Sequence, residues 1–147
     1  MSANRHTERL TVEATQRSEL IEITGPIARL AQKFDVEDGY VLVYVPHTTA
    51  GVTIQENADP DVKHDLLAKL EQLVPHKEAF YRHAEGNSDS HVKAALVGSS
   101  QHVLIEQRRL VLGRWQGIYL CEFDGPRRRE VVCKFVDLSR APRGRTD

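Results

Sequence analysis

The sequence predicts an α+β fold in a single domain. Segments of alternating polar and apolar residues recur along the chain, as half-buried strands require. Three stretches instead carry helical spacing and helix-start chemistry. The strands follow one another mostly through short turns, which favours hairpins over the crossovers of a doubly wound sheet. A chain of 147 residues fits one hydrophobic core, so the domain is expected to span 1–147, with 1–7 and 138–147 as flexible ends.

Each element has its own signal. Residues 8–14 and 18–24 alternate and read as two half-buried strands joined by a short turn. Gly25-Pro26 opens a helix with Ile27, Leu30 and Ala31 on one face and Phe34 continuing it. Tyr40 to His47 is nearly continuous in apolar residues, which implies a strand buried on both faces or at a sheet centre. Val52 to Asn57 forms another strand. Asp59 is a good N-cap, and Pro60 suits the first helical position because its missing N–H would have had no partner. Val62, Leu66, Leu70, Leu73 and Val74 mark the apolar face of that second helix, and Pro75 ends it. Ser88 caps a third helix running to about Gly98, with Val92, Ala95 and Leu96 facing the core. Strands follow at His102–Glu106, Arg109–Phe123 and Arg129–Asp137, with Asp124-Gly125-Pro126 as the last turn.

Composition excludes several classes. Hydrophobic residues at 40% and charged residues at 28% rule out a disordered chain. Twenty basic against twenty-one acidic residues give a net charge of −1, so no global field argues for nucleic acid or an anionic membrane. Arg127, Arg128, Arg129, Arg140, Arg143 and Arg145 cluster towards the C-terminal end, whose last residues read as a solvated tail. No secretory h-region and no apolar run of ~20 residues is visible, so a cytoplasmic location is expected. Cys121 and Cys133 lie in apolar strands and read as buried small hydrophobes.

Three polar segments interrupt this order. His47 ends an apolar row and is followed by Thr48 and Thr49, so it is either bonded structurally or delivered to a site at the strand end. His83 and His91 flank Asn87, which leads into the third helix. The unpaired N–H groups and dipole at that start favour an anion and a neutral imidazole. Around residues 113–122, Trp115 reads as a core aromatic, while Gln116 and Glu122 share a strand face about 20 Å apart at ~3.3 Å per residue. Both can touch one small ligand only if Gly117 bulges or the ligand meets them on different subunits. Three histidines with Glu56 or Glu122 would suit zinc with an open position, although no H-x-x-x-H or C-x-x-C pair is present.

Taken together, H-T-T-A-G-V-T-I-Q-E-N-A-D-P at 47–60, H-A-E-G-N-S-D-S-H-V-K at 83–93, G-S-S at 98–100 and G-R-W-Q-G-I-Y-L-C-E at 113–122 go further. In this order the motifs resemble the YjbQ family, often labelled secondary thiamine-phosphate synthase, over about residues 8–137. The resemblance implies a β-sandwich-like core, a homotrimer and a shared pocket. It also implies a weak thiamine-phosphate synthase activity, a transferase reaction joining hydroxymethylpyrimidine diphosphate to a thiazole phosphate with release of pyrophosphate. On the carried-over positions, His47, His83, His91 and Glu56 are expected to be catalytic. Thr48, Thr49, Asn57, Asn87, Arg114, Gln116 and Glu122 are expected to bind a phosphorylated small-molecule substrate. His47, His83 and His91 are the expected metal ligands, with zinc suited to the ligand type and magnesium to diphosphate chemistry. Two alternatives stay open, a metal-dependent hydrolase or lyase and a non-catalytic metabolite-binding trimer.

Overall fold

A computed structural model describes residues 5–139 as eight strands in two antiparallel sheets with three helices. The strands are β1 (Arg5–Ala14), β2 (Glu19–Glu22), β3 (Asp38–Tyr44), β4 (Ala50–Glu56), β5 (Ser100–Glu106), β6 (Arg109–Leu110), β7 (Gln116–Glu122) and β8 (Arg127–Asp137). The helices are α1 (Thr24–Lys33), α2 (Pro60–Leu73) and α3 (Ser88–Val97). One sheet has the order β1-β8-β3-β5-β6 and the other β2-β7-β4.

Burial periodicity explains how the layers stack. In β8, Arg129, Val131, Cys133, Phe135 and Asp137 are buried, and in β3 so are Val41 and Val43, with Val45 just beyond its end. This face of the larger sheet meets Ile118 and Leu120 of β7 and Val52 of β4, with Ile27 and Ala31 of α1 closing the same core. The other face of β7, with Tyr119 and Cys121, continues into Phe123. It packs with Leu20 and Ala94 into a second cluster, against which Leu66, Leu67 and Leu70 of α2 and Val97 of α3 lie. The order is therefore sheet, core, sheet, core, helices. The middle strand β7 is buried on both faces, which accounts for its continuous apolar run.

Several expectations need correcting. Segments 8–14 and 18–24 do not form a hairpin: β1 pairs with β8 and β2 with β7, in different sheets. The Glu19 carboxylate accepts the N–H groups of Thr15 and Gln16 at 2.9 and 3.3 Å, turning the chain from one layer to the other. The stretch 109–123 is two strands, because β6 pairs with β5 through a turn at Gln107 and Arg108 while β7 joins the second sheet. Trp115 lies between them and is 52% exposed, not a core aromatic. In β3 only alternate residues are buried, so that strand has one core face and owes its apolar run to its place at the centre of the larger sheet.

The helices divide in the same way. Asp59 caps α2 as expected, accepting the Asp61 N–H at 2.9 Å. None of the residues of α2 is fully buried, however, and Leu73 is exposed. The N-cap of α3 is Asn87 rather than Ser88. That helix turns Asp89, Ser90, Lys93 and Ala94 inward and leaves Val92 and Leu96 exposed, the reverse of the expected face. Arg17 grips Asp89 with two bonds of 3.0 Å, and Lys93 bonds to Glu71 at 2.5 Å and Asp89 at 3.3 Å. The Ser90 hydroxyl donates to the Phe123 carbonyl at 2.5 Å. These contacts, not an apolar stripe, dock the start of α3 onto the second sheet. Its end is held where the Val52 N–H donates to the Gly98 carbonyl at 3.1 Å. A side chain at Gly51 would collide with that carbonyl, its Cβ coming within 2.6 Å.

Arg140, Arg143 and Arg145 lie outside the described residues. No helix among the described residues is long and apolar enough to cross a membrane.

Candidate functional site

The site lies where the ends of β3 and β7 meet the start of β8 and α3 begins. Past Val45 the chain turns at Pro46 and presents His47, Thr48 and Thr49 at the end of the core. The His47 Nε2 accepts the Glu130 N–H of β8 at 3.0 Å, so the neutral ring carries its proton on Nδ1. Burial, together with the Arg129 guanidinium, holds the His47 pKa below its ordinary value.

Arg129 organises the floor. Its Nε and Nη2 donate to Glu122 at 2.5 and 2.9 Å, and Nη2 also reaches the hydroxyl and carbonyl of Thr49 at 2.7 and 3.3 Å. Both members of this ion pair are buried. Arg127 repeats the pattern at the surface, its Nε and Nη2 donating to the carbonyl and carboxylate of Asp124 at 2.8 and 2.9 Å. Each guanidinium thus keeps Nη1 without a hydrogen-bond partner among the described residues. Both arginines line one cavity of about 310 Å³ with His47, Thr48, Thr49, Asn87 and His91. Glu85 and Asp124 complete its wall.

His91, in the first turn of α3, also borders two further cavities. One, of about 340 Å³, is shared with His83, Ser88 and Val92. The other, of about 370 Å³, runs past His47 and Ala50 to Ala94, Ala95 and Gly98. The rings of His83 and His91 meet edge to face, 5.4 Å between centroids, and His83 Nε2 lies 3.7 Å from the Glu85 carboxylate. Neither ring nitrogen of His91 has a hydrogen-bond partner among the described residues, so both are open to a ligand.

The expected residues are thereby divided. His47, Thr48, Thr49, Asn87 and His91 share the first cavity, with His83 beside it and Glu122 beneath it. Glu56, Asn57, Arg114 and Gln116 do not join them. β4 and β7 pair in unbroken register from Ala50↔Glu122 to Glu56↔Gln116, and Gly117 introduces no bulge. The two ends of β7 are therefore about 20 Å apart at ~3.3 Å per residue. At the far end the Glu22 carboxylate accepts from Thr24 and Asn57 at 2.9 and 3.2 Å, Gln116 accepts the Gly113 N–H at 2.7 Å, and Arg114 stacks over Trp115.

Among the described residues no group of three or more His, Cys, Asp or Glu side chains is placed to hold a metal ion. His47, His83 and His91 of a single chain are thus not drawn together as one three-histidine group. The residue that sequence reading missed is Arg129. Its signal was present, because it shares strand parity with Val131, Cys133 and Phe135 and so had to point into the core.

Comparison with known proteins identifies the family and its fold. Residues 8–138 match the family described as "UPF0047 protein YjbQ-like". The chain belongs to the YjbQ family. Relatives of this YjbQ-family chain include the UPF0047 protein YugU of Bacillus subtilis, 49% identical over 86% of this chain and 96% of that protein. The UPF0047 protein MJ1081 of Methanocaldococcus jannaschii is 50% identical over 85% and 90%. Among solved structures, a YjbQ/UPF0047 protein of Clostridium acetobutylicum superimposes with a TM-score of 0.86 at 46% identity, covering 88% of this chain and 99% of that one. A YbjQ-like protein of unknown function from Sulfolobus solfataricus reaches the same TM-score at 25% identity, over 90% and 96%. The YjbQ fold therefore holds its two sheets and three helices across wide sequence divergence.

Proposed function

We propose that this YjbQ-family chain is a transferase acting on phosphorylated small molecules, with thiamine-phosphate synthesis as its reaction. The observation that carries the reading is the pair of unspent guanidinium nitrogens, from Arg127 and Arg129, on one cavity walled by His47 and His91. In the reaction the C–O bond between the pyrimidine methylene and the diphosphate breaks, and a C–N bond forms to the thiazole nitrogen. Pyrophosphate carries away the electron pair.

Charge thus develops on the leaving diphosphate, where Arg127, Arg129, the His47 Nδ1–H and the start of α3 can stabilise it. His91, with both ring nitrogens open, is suited to donate a hydrogen bond to the leaving group. The Ala50 and Ala94 cavity beside it has the apolar lining a heterocycle needs. The same reading takes the chain as a homotrimer. Since one chain holds the Gln116 and His47 ends of the second sheet apart, a single ligand could meet both only through different copies.

The test supplies hydroxymethylpyrimidine diphosphate and thiazole phosphate and follows thiamine phosphate by mass spectrometry. Native protein should form it, and His91→Asn should lower the rate by at least ~100-fold. No product above background from the native chain would sink the transferase reading.

A further inference from the structure

Asn87 is 6% exposed and lines the Arg127–Arg129 cavity. Its Nδ2 donates to the Asp124 carboxylate at 2.8 Å, which fixes the amide so that Oδ1 is the free end. Among the described residues, that Oδ1 is the one sealed side-chain nitrogen or oxygen without a hydrogen-bond partner. It makes no cap bond to the helix it precedes. Such an acceptor is costly unless a donor reaches it, and the residue that carries it lines the cavity.

The Asp124 carboxylate on the cavity wall is already engaged by Asn87 and Arg127, and Glu85 faces His83, so the groups left to meet a ligand are mainly donors. Arg127 and Arg129 each have Nη1 to give, and the neutral His47 ring has Nδ1–H. Three such donors would suit any small oxyanion. The unsatisfied Asn87 Oδ1 set among them suits an oxyanion that brings a proton of its own. Orthophosphate near neutral pH keeps at least one P–OH, and a phosphomonoester, with a second pKa near 6, does so as its monoanion. Sulfate has none, and would turn a lone pair towards Oδ1.

We infer that the cavity selects a protonated phosphate group over isosteric anions without a proton, with Asn87 as the residue that sets the selectivity. This rests on the reading of the cavity as a phosphate site and adds which form of phosphate it takes. Asp124 acts through Asn87 by holding the amide in this orientation.

The experiment titrates inorganic phosphate and sulfate into the native full-length chain by calorimetry at matched ionic strength and neutral pH. Phosphate should bind about ten-fold or more tightly than sulfate, the value of one buried hydrogen bond gained against one denied. In Asn87→Ala the two affinities should approach each other. Methyl phosphate below pH 6 should bind and dimethyl phosphate should not, a comparison that needs no variant. Equal binding of phosphate and sulfate by the native chain would overturn the selectivity while leaving the anion site standing. Binding of neither would overturn both.

Discussion

Arg129 and Glu122 join the two sheets. The arginine leaves the inward face of β8, the carboxylate leaves the inward face of β7, and their two bonds of 2.5 and 2.9 Å close inside the core. The Thr49 carbonyl and hydroxyl complete the guanidinium's partners, so the loop that bears His47 is tied to the same junction. Fold and site therefore depend on one ion pair.

Removing one partner should cost much more than removing both. Arg129→Met leaves the Glu122 carboxylate buried without a counterion, and a loss of about 3–5 kcal/mol is expected in urea unfolding. Arg129→Met combined with Glu122→Met should recover a large part of it. A single variant within about 0.5 kcal/mol of the native chain would show that the pair does not hold the layers together.

Acidification should weaken the fold through His47. Its folded pKa is depressed, by burial and by Arg129, whereas the unfolded imidazole titrates near 6.5. Below that value the unfolded chain binds the extra proton and the folded chain resists it. Stability from this group is thus complete above about pH 6.5 and declines as pH falls towards the folded value. Unfolding curves between pH 7.5 and 5.5 should show the decline, and His47→Gln should flatten it.

Asp89 should resist acid more than an ordinary carboxyl. Burial alone would raise its pKa, but Arg17 and Lys93 outweigh that cost and hold it low. Its contribution is therefore present above the unfolded value near 3.9 and lost only as pH falls through the lower folded value. Asp89→Asn leaves Lys93 buried with only Glu71 to face it, and about 3 kcal/mol of destabilisation is expected. Hydrogen exchange should quicken first in α3.

Assembly can be tested at the opposite end of the second sheet. Trp115 is half exposed and Arg114 lies 4.7 Å above its ring, an anchor pairing frequent at protein interfaces. Analytical ultracentrifugation should give three chains for the native protein and fewer for Trp115→Glu. A native mass of one chain would remove the homotrimer from the proposed function.

The sequence was most readable where local rules decide. Asp59-Pro60 started α2 because a side-chain cap and a missing N–H act within one turn. The alternation along 129–137 gave β8. The face of α3 was misread because the partner of Asp89 is Arg17, 72 residues earlier, and helical periodicity treats a charge as solvent-facing until its counterion is known. For the same reason 8–14 and 18–24 looked like a hairpin: alternation establishes that a strand exists, not which strand it joins. His47, Asn87 and His91, singled out by motif resemblance, line one cavity. The resemblance offered no means of seeing that Glu56 and Gln116 stand at the other end of an unbroken ladder.

Burial pushes both cysteine thiols up to about 12, Cys121 in the second cluster and Cys133 in the first. At neutral pH only about one in 10⁵ of either would be thiolate in the folded chain, against a few per cent once exposed. An alkylating reagent therefore reads opening rather than surface chemistry. One thiol lies in each packed layer, so mass spectrometry of the labelled positions would time the loosening of each core separately, without an introduced probe.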